Sequence, residues 1–480
     1  MRRVNAVWTV GIIAALELLV MYVETMIIPA LPTFISYFST SYDSLSWIMT
    51  AYIIAGTVSS ALFGKLADMY GKKKIFLMIA IVYAFSVSAG GFAKTLEELI
   101  LIRTVQGIGM AMFPVGLALI NDEIPKERVA LAQAIVTSML AAGSALGLVI
   151  GAWIIENFGW QWSFHSAIPV AFLLVFLAAI KLRESPSRER ESIDYVGITT
   201  LASALIALIL GISEGQTWGW ASVPIITLFA VSFILVIFFV FFERNFPNPF
   251  IDMKLLRIRN VFLANFVGLF TMAGMFFLFF STPSLMQDPE PAGFGVSIIE
   301  SGLVVLPAAI INMVLAPVSA KLTNKKGPKF SILIGLSILL LSYLGLYFNR
   351  STIIGIIEDA TVLGLGLSFA FIGVINMLLM SVPKEKAGES TGMNAVFWNI
   401  GTSVASSISG VLETMYVIDA AVGMIPYRFL NLGFMPIYMS FPSPEAFDSI
   451  YLVGMAFVVV AISMSLFMEK TVIKGERNEI

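Results

Sequence analysis

The chain has no cysteine, a single histidine, and charge on only 12% of its 480 residues. Without a thiol there is no disulfide, no iron–sulfur cluster and no thiol nucleophile. One imidazole, His165, excludes a bis-histidine haem and a histidine-rich zinc site, so neither metal nor cofactor is expected. Soluble domains carry about 25% charged residues, roughly twice the share found here. So little charge argues against a nucleic-acid binder, a secreted scaffold and most soluble enzymes. What the chain has in abundance is apolar residues: 58%, or roughly 278 positions. At ~20 residues per crossing these would fill about fourteen membrane spans. The sequence therefore reads as an all-α, polytopic membrane protein.

Fourteen apolar runs follow, at about 7–28, 46–64, 75–93, 99–120, 130–155, 163–182, 196–213, 223–242, 261–281, 297–319, 330–348, 360–382, 388–412 and 449–468. Each is continuous rather than alternating and long enough to cross ~30 Å of hydrocarbon as a helix. The first run is too long for a signal-peptide core and reads as retained. Lys and Arg fix the orientation. With the N-terminus in the cytoplasm, every basic residue lies on that side except Lys94, Arg350, Arg428 and the intramembrane Arg103. Trp47, Trp153, Trp160, Trp162, Trp218 and Trp220 gather near the outer ends of spans, as an interfacial belt does. Both termini are thus expected in the cytoplasm. The stretch 413–448, with Pro426, Pro436, Pro442 and Pro444, reads as an outer loop packed on the protein.

Two matches at nearly one offset point to an internal repeat. Gly64 to Lys73 (GKLADMYGKK) lies over Ala320 to Lys329 (AKLTNKKGPK) at 256 residues, and Pro125 to Arg128 over Pro383 to Lys386 at 258, with Gly143 falling on Gly401. The reading is two six-helix halves, 1–190 and 260–480, separated by two inserted spans in 191–259.

GKLADMYGKK at 64–73 resembles the loop between the second and third spans of the major facilitator superfamily, and LIRTVQGIG at 101–109 is similar to its fourth-span motif. WIMTAY at 47–52, WQWSF at 160–164 and IDYVG at 193–197 resemble its fourteen-span drug:proton antiporter group. Two departures stand out. In the fifth-span antiporter motif Gly143, Gly147 and Gly151 keep their spacing, but Leu148 stands for Pro and Ile150 for Gly; in the first span Val23 occupies the acid's place and Glu24 follows it.

In that family the loop acid helps latch the halves together, which the resemblance carries to Asp68, flanked by Gly64 and Gly71 and able to meet a helix N-terminus or Arg128. A basic loop that only fixes topology is the other reading. Arg103 and Glu24 lie at similar depth, so a contact between them is expected, either a structural ion pair or part of transport; lone charges there cost at least ~2.5–3.5 kcal/mol. Glu17, one heptad before Glu24, sits near midplane about 10 Å away along the axis, with no basic residue at its depth. There a cationic substrate and a proton could compete for one carboxylate, or a permanently neutral acid could make one interhelical hydrogen bond. Gly143, Gly147 and Gly151 clear one helix face for a tight seam. Asn376, Asn394 and Asn399 either polarise a cavity or join helices, and Trp398 either stacks on an aromatic cation or packs.

The leading expectation is a secondary active exporter, driven by protons, for amphipathic and cationic organic compounds at the cell membrane. Its expected partners are a small-molecule substrate, protons and the lipid bilayer, with no nucleic acid, and a monomer suffices because one chain holds both halves. The alternatives are a dedicated metabolite transporter or a non-transporting sensor. No Gly-x4-Gly-Lys-Ser/Thr loop is present for an ATP-driven pump, and no nucleophile–base or metal constellation for an enzyme.

Overall fold

The computed structural model describes residues 2–124, 126–184, 194–247, 249, 251–382, 387–426 and 434–469. The first half of the chain forms α1 (Arg2–Thr25), α2 (Leu31–Phe38), α3 (Tyr42–Tyr70), α4 (Lys72–Gly90), α5 (Leu96–Gly107), α6 (Met112–Glu123), α7 (Lys126–Leu146), α8 (Ala152–Phe158) and α9 (Trp160–Lys181). Then come α10 (Tyr195–Ser213), the short α11 (Gly215–Trp218), α12 (Val223–Glu243) and the short α13 (Met253–Leu256). The remainder is α14 (Arg259–Gln287), α15 (Ile298–Lys326), α16 (Pro328–Asn349), α17 (Ile353–Ser381), α18 (Ala387–Met415), β1 (Val417–Pro426), β2 (Phe434–Pro442) and α19 (Pro444–Leu466).

Thirteen helical runs among the described residues are long and apolar enough to cross a membrane. The expected fifth span falls on α7 and α8, where the apolar helical stretch is the shorter Ala142–Phe158. The first span runs from Val7 to Phe38, past its expected end at 28. Pro29 and Pro32 sit at the first positions of new helical turns, where a missing N–H costs nothing, so the chain bends and continues.

Sharp reversals between helices are made by glycine. Gly71 (φ +108°), Gly159 (+90°) and Gly327 (+89°) each end one helix and begin the next in a conformation side chains rarely adopt. Other starts are capped: Thr95 accepts from the Glu98 N–H, Thr352 from that of Gly355, and Ser297 forms a reciprocal box with Glu300.

Around the centre, α1 packs on α7 and α9, α3 on α5, α14 on α17, α18 and α19, and α15 and α16 on α17. The contact of α3 with α18 joins the two sides of the bundle. α10 pairs with α12 and also touches α3 and α18. The outer face of α12 is left open, exposing Phe233, Ile234, Phe238 and Phe241, a surface suited to hydrocarbon rather than water.

The segment after α18 corrects the all-α expectation. Instead of an irregular loop, Val417–Pro426 and Phe434–Pro442 pair as two antiparallel strands, with Val417 opposite Pro442, Pro426 opposite Phe434, and a bulge at Ala421–Gly423. Both strands are edges, so Pro436 and Pro442 cost no ladder bond on a further neighbour.

Candidate functional site

Four helices converge on the buried ionisable cluster. Arg103, on α5, is fully buried, its guanidinium 4.1 Å from the centroid of the Tyr52 ring on α3. One guanidinium nitrogen donates to Gln106 Oε1 at 2.8 Å, and Gln106 passes the connection to the Ser86 carbonyl of α4 at 3.0 Å. On the other side of Tyr52 its hydroxyl donates to Glu24 Oε2 of α1 at 3.2 Å. The expected meeting of Arg103 and Glu24 thus occurs through an intervening tyrosine, one group on its face and the other at its hydroxyl. Arg103 Nε and Nη2 remain without hydrogen-bond partners among the described residues.

Glu17 lies two turns down α1, 1% exposed, with its Oε1 unpartnered among the described residues. The Tyr83 hydroxyl of α4 is buried and unpartnered as well. An ionised carboxyl in that position would lack both water and a donor at one oxygen.

The three glycines of the fifth expected span form a seam against α1. A Cβ on Gly143 would lie 2.4 Å from Leu18 O, on Gly147 2.6 Å from Tyr22 O, and on Gly151 2.4 Å from Met26 Cβ. Thr25 Oγ1 crosses the seam to Ser144 O at 3.0 Å. Where the resembled motif has Pro and a further Gly, Gly147–Gly151 forms a single π-helical turn, and the Leu148 carbonyl meets Gly302 of α15.

In the loop motif, Gly71 is tied to a partner distant in sequence. Glu184 receives the N–H groups of Lys73 (3.0 Å) and Lys74 (3.1 Å) at the start of α4, and a Cβ on Gly71 would strike its carboxyl carbon at 2.7 Å. Lys72 pairs with Asp122 of α6 at 2.6 Å, and a Cβ on Gly64 would meet nothing from another element within 4 Å among the described residues. The side chains of Asp68 and Arg128, and residues 125 and 383–386 of the repeat, lie outside the described residues.

Among the late polar residues, Asn394 joins helices: its Nδ2 donates to Asn265 of α14 at 3.1 Å, and both are buried. Asn376 bonds the Ile372 carbonyl of its own helix, and Asn399 is half-buried. Trp398 stacks on Phe371 at 5.1 Å, above Gly268, with its indole N–H unpartnered among the described residues.

The joint between α3 and α18 is polar. Thr50 and Ser406 share a hydrogen bond of 2.9 Å, Asp43 N donates to Thr414 Oγ1 at 3.1 Å, and Tyr42 donates to Asp288 at 2.9 Å. Gln287 Nε2 reaches Pro29 O at 2.6 Å, and Ile299 N reaches Glu156 at 2.9 Å.

Sequence reasoning passed over Tyr52, Gln106, Tyr83, Asp288 and Glu413. Tyr52 and Gln106 stood inside quoted motifs without a role. Glu413 escaped because the thirteenth span was ended at 412, whereas α18 continues to Met415. Asking of each acid near a span end whether one more turn would bury it was the signal available.

A multi-pass helical bundle with ionisable groups buried between its helices is the architecture of a membrane transporter. The chain belongs to the Major Facilitator Superfamily, which it matches over residues 13–406. It is 28% identical over 375 residues to the multidrug transporter protein MdtP of Bacillus subtilis, covering 77% of this chain and 68% of that one. It is 27% identical to the multidrug resistance protein Stp of Mycobacterium tuberculosis (83% and 74% covered) and 23% identical to the multidrug export protein EmrB of Escherichia coli (83% and 79%). Among solved structures, a bacterial homologue of the human lysosomal transporter Spinster matches with a TM-score of 0.67 at 13% identity, covering 96% of each chain. The xylose transporter XylE of E. coli matches at 0.64 and 11% identity, covering 97% of this chain and 98% of its own. These two likenesses concern the fold. The protein is thus a superfamily transporter of small molecules with multidrug-efflux relatives.

Proposed function

We propose that the protein exports amphipathic, cationic organic compounds across the cell membrane in exchange for protons. The observation that carries this reading is Glu17, a buried carboxyl with an unpartnered oxygen one heptad from Glu24. Glu24 is steadied by Tyr52 and the Arg103 charge beyond it, whereas Glu17 is free to hold either a proton or a cation. Mutual exclusion at one carboxyl yields exchange. The unpartnered indole N–H and ring of Trp398, with Asn376 and Asn399, are candidates for the cavity wall; Asn394 is held by Asn265.

The same reading takes the chain as fourteen spans in two six-helix halves, 1–190 and 260–480, with 191–259 inserted. Supporting it, three close glycine contacts recur between the halves at offsets of 251–258 residues. Gly107 on Tyr52 O recurs as Gly364 on Ala308 O, Gly109 on Tyr83 as Gly366 on Leu339, and Gly143 on Leu18 O as Gly401 on Leu269 O. Gly71 and Gly327, 256 apart, make the same positive-φ reversal. With both termini cytoplasmic, as the basic residues argue, the Tyr42–Asp288 and Glu156–Ile299 contacts fall on the outer side, so the halves are closed there. Gly64, Asp68, Gly71 and Arg128 would latch the cytoplasmic side in the opposite state. A single chain supplies both halves, so a monomer in the bilayer suffices.

The test uses purified protein in sealed liposomes with an imposed pH gradient. Adding lipophilic cations such as tetraphenylphosphonium is expected to move protons, and Glu17→Gln to abolish that movement and to weaken cation binding, because proton and cation compete for the one carboxyl. Binding without any proton movement in the unmodified protein would sink antiport.

A further inference from the structure

A second set of buried acids lies where α3 meets α14 and α18. Glu413, in the last turn of α18, is fully buried, and neither of its oxygens has a hydrogen-bond partner among the described residues; the Ser284 hydroxyl of α14 lies alongside. Asp288, just beyond α14, is 3% exposed and reaches across the joint only through the Tyr42 hydroxyl. The hydroxyls of Ser409, one turn back on α18, and Tyr451, on α19, are likewise buried and unpartnered among the described residues.

The titratable groups acting on Glu413, Asp288 and Tyr42 are all acidic or phenolic: Tyr42 comes from α3 and Asp288 from the end of α14. Tyr451, on α19, feels Glu413 and Asp448, and Asp43, on α3, acts on Glu214, after α10. Arg350, the cation that acts on Tyr451, is engaged by Asp448 and by the Pro444 carbonyl at 3.0 Å. The joint is also tight: a Cβ on Gly410 would lie 2.8 Å from Tyr42 O and 3.1 Å from Asp43 Cα.

We propose that Glu413 and Asp288 form a proton-binding site at this joint, filled while α3 is closed against α14 and α18 and emptied when they part. Two neighbouring carboxyls shut away from water and unpaired with a cation cannot both be ionised. Asp288 shows the tendency directly: burial pushes its carboxyl up to about 7, with the Tyr42 hydrogen bond working the other way. Parting the helices admits water, both acids ionise, and their protons leave to that side. Proton uptake from the same side draws the joint shut. The site therefore reads the pH of the compartment onto which the joint opens. It rests on the reading that the two halves part here, but not on which acid couples transport.

Because the chain has no native cysteine, spin labels at Lys94→Cys and Ser351→Cys, exposed positions in opposite halves, carry no background. Their separation is measured by pulsed electron resonance in lipid nanodiscs at about pH 5.5 and about pH 8.5. The expected result is one short distance at acid pH and at least a two-fold larger long-distance population at alkaline pH. Glu413→Gln with Asp288→Asn is expected to hold the short distance at both, Glu413→Gln alone to shift the balance the same way, and Glu413→Asp to keep the pH response. A pH-independent distance in the unsubstituted protein, or an unchanged response in the double variant, overturns the proposal. A response removed by Glu17→Gln instead also overturns it while leaving antiport standing. Loss of cation-driven proton flux with the distance change intact upholds this site and removes antiport alone.

Discussion

Substituting Gly147 by alanine tests the seam between α1 and the fifth expected span. The added Cβ would lie 2.1 Å from Thr25 Oγ1, 2.6 Å from Tyr22 O and 3.0 Å from Met26 N, where ordinary contact begins at 3.4 Å. The threonine can turn aside, at the loss of its bond to Ser144 O, about 1 kcal/mol. Tyr22 O is backbone and cannot, so α1 must retreat by about 0.8 Å, and overpacking of this kind costs ~1–3 kcal/mol. The total is ~2–4 kcal/mol. An unfolding entropy of about 2.1 cal/mol/K per residue gives a chain of this length about 1 kcal/mol/K, so the melting temperature should fall by at least ~2–4 °C. Helices that survive unfolding in detergent lower that entropy and enlarge the shift. The assay is thermal unfolding of purified protein, with Gly11→Ala as control, since a Cβ there would meet nothing from another element within 4 Å among the described residues. The control should be neutral or slightly stabilised, as alanine favours helix over glycine. Equal melting of the two variants would refute the close backbone approach.

Arg103→Ala and Tyr52→Phe should be coupled to Glu24→Gln, with an interaction energy of ~0.5–3 kcal/mol in double-mutant cycles read by thermal stability; additive effects would separate Arg103 from Glu24. Arg103→Lys should not substitute, because only the planar fork lies on the Tyr52 face while donating to Gln106. Gly71→Ala should cost ~1–3 kcal/mol for its φ of +108° alone, and more as the side chain displaces Glu184 from the start of α4; an unchanged melting temperature would contradict this. Asp288, raised from 3.8 to about 7, keeps a proton in the folded protein that the unfolded chain gives up. Its contribution to stability is therefore full below about pH 4, falls as pH rises, and is gone above about pH 7. Melting temperatures of Asp288→Asn across that window should decline less steeply than those of the unsubstituted protein, and parallel curves would count against the assignment.

Composition and periodicity made the membrane helices legible, because every turn facing hydrocarbon must be apolar. Their ends were less so. The first apolar run was ended at 28, yet the helix continues to Phe38, with Pro29 and Pro32 falling where a helix tolerates them. The pairing of Val417–Pro426 with Phe434–Pro442 was invisible because strand pairing is non-local, and apolar residues and prolines suit a packed loop as well. At the site, Glu17, Glu24 and Arg103 were legible as charges that should not be there. Tyr52 was not: nothing in a sequence says that a tyrosine will stand between an arginine and a glutamate. Asn394 and Asn376 were alike as letters and parted only when Asn265 arrived from a helix 129 residues away.

The contact between α3 and α18 differs in kind from those inside each side of the bundle. Within a side, backbone rests on glycine, as at Gly143 and Gly401; water offers nothing to replace such a contact, and peeling it apart forfeits dispersion outright. Between α3 and α18 one glycine, Gly410, rests on the Tyr42 carbonyl, but the bonded groups are hydroxyls: Thr50 with Ser406, and Thr414 with the Asp43 backbone. A hydroxyl released from a hydroxyl finds water at nearly even exchange. On the proposed reading that the halves part, this line of hydroxyls is where the bundle would open and reseal before either half deforms.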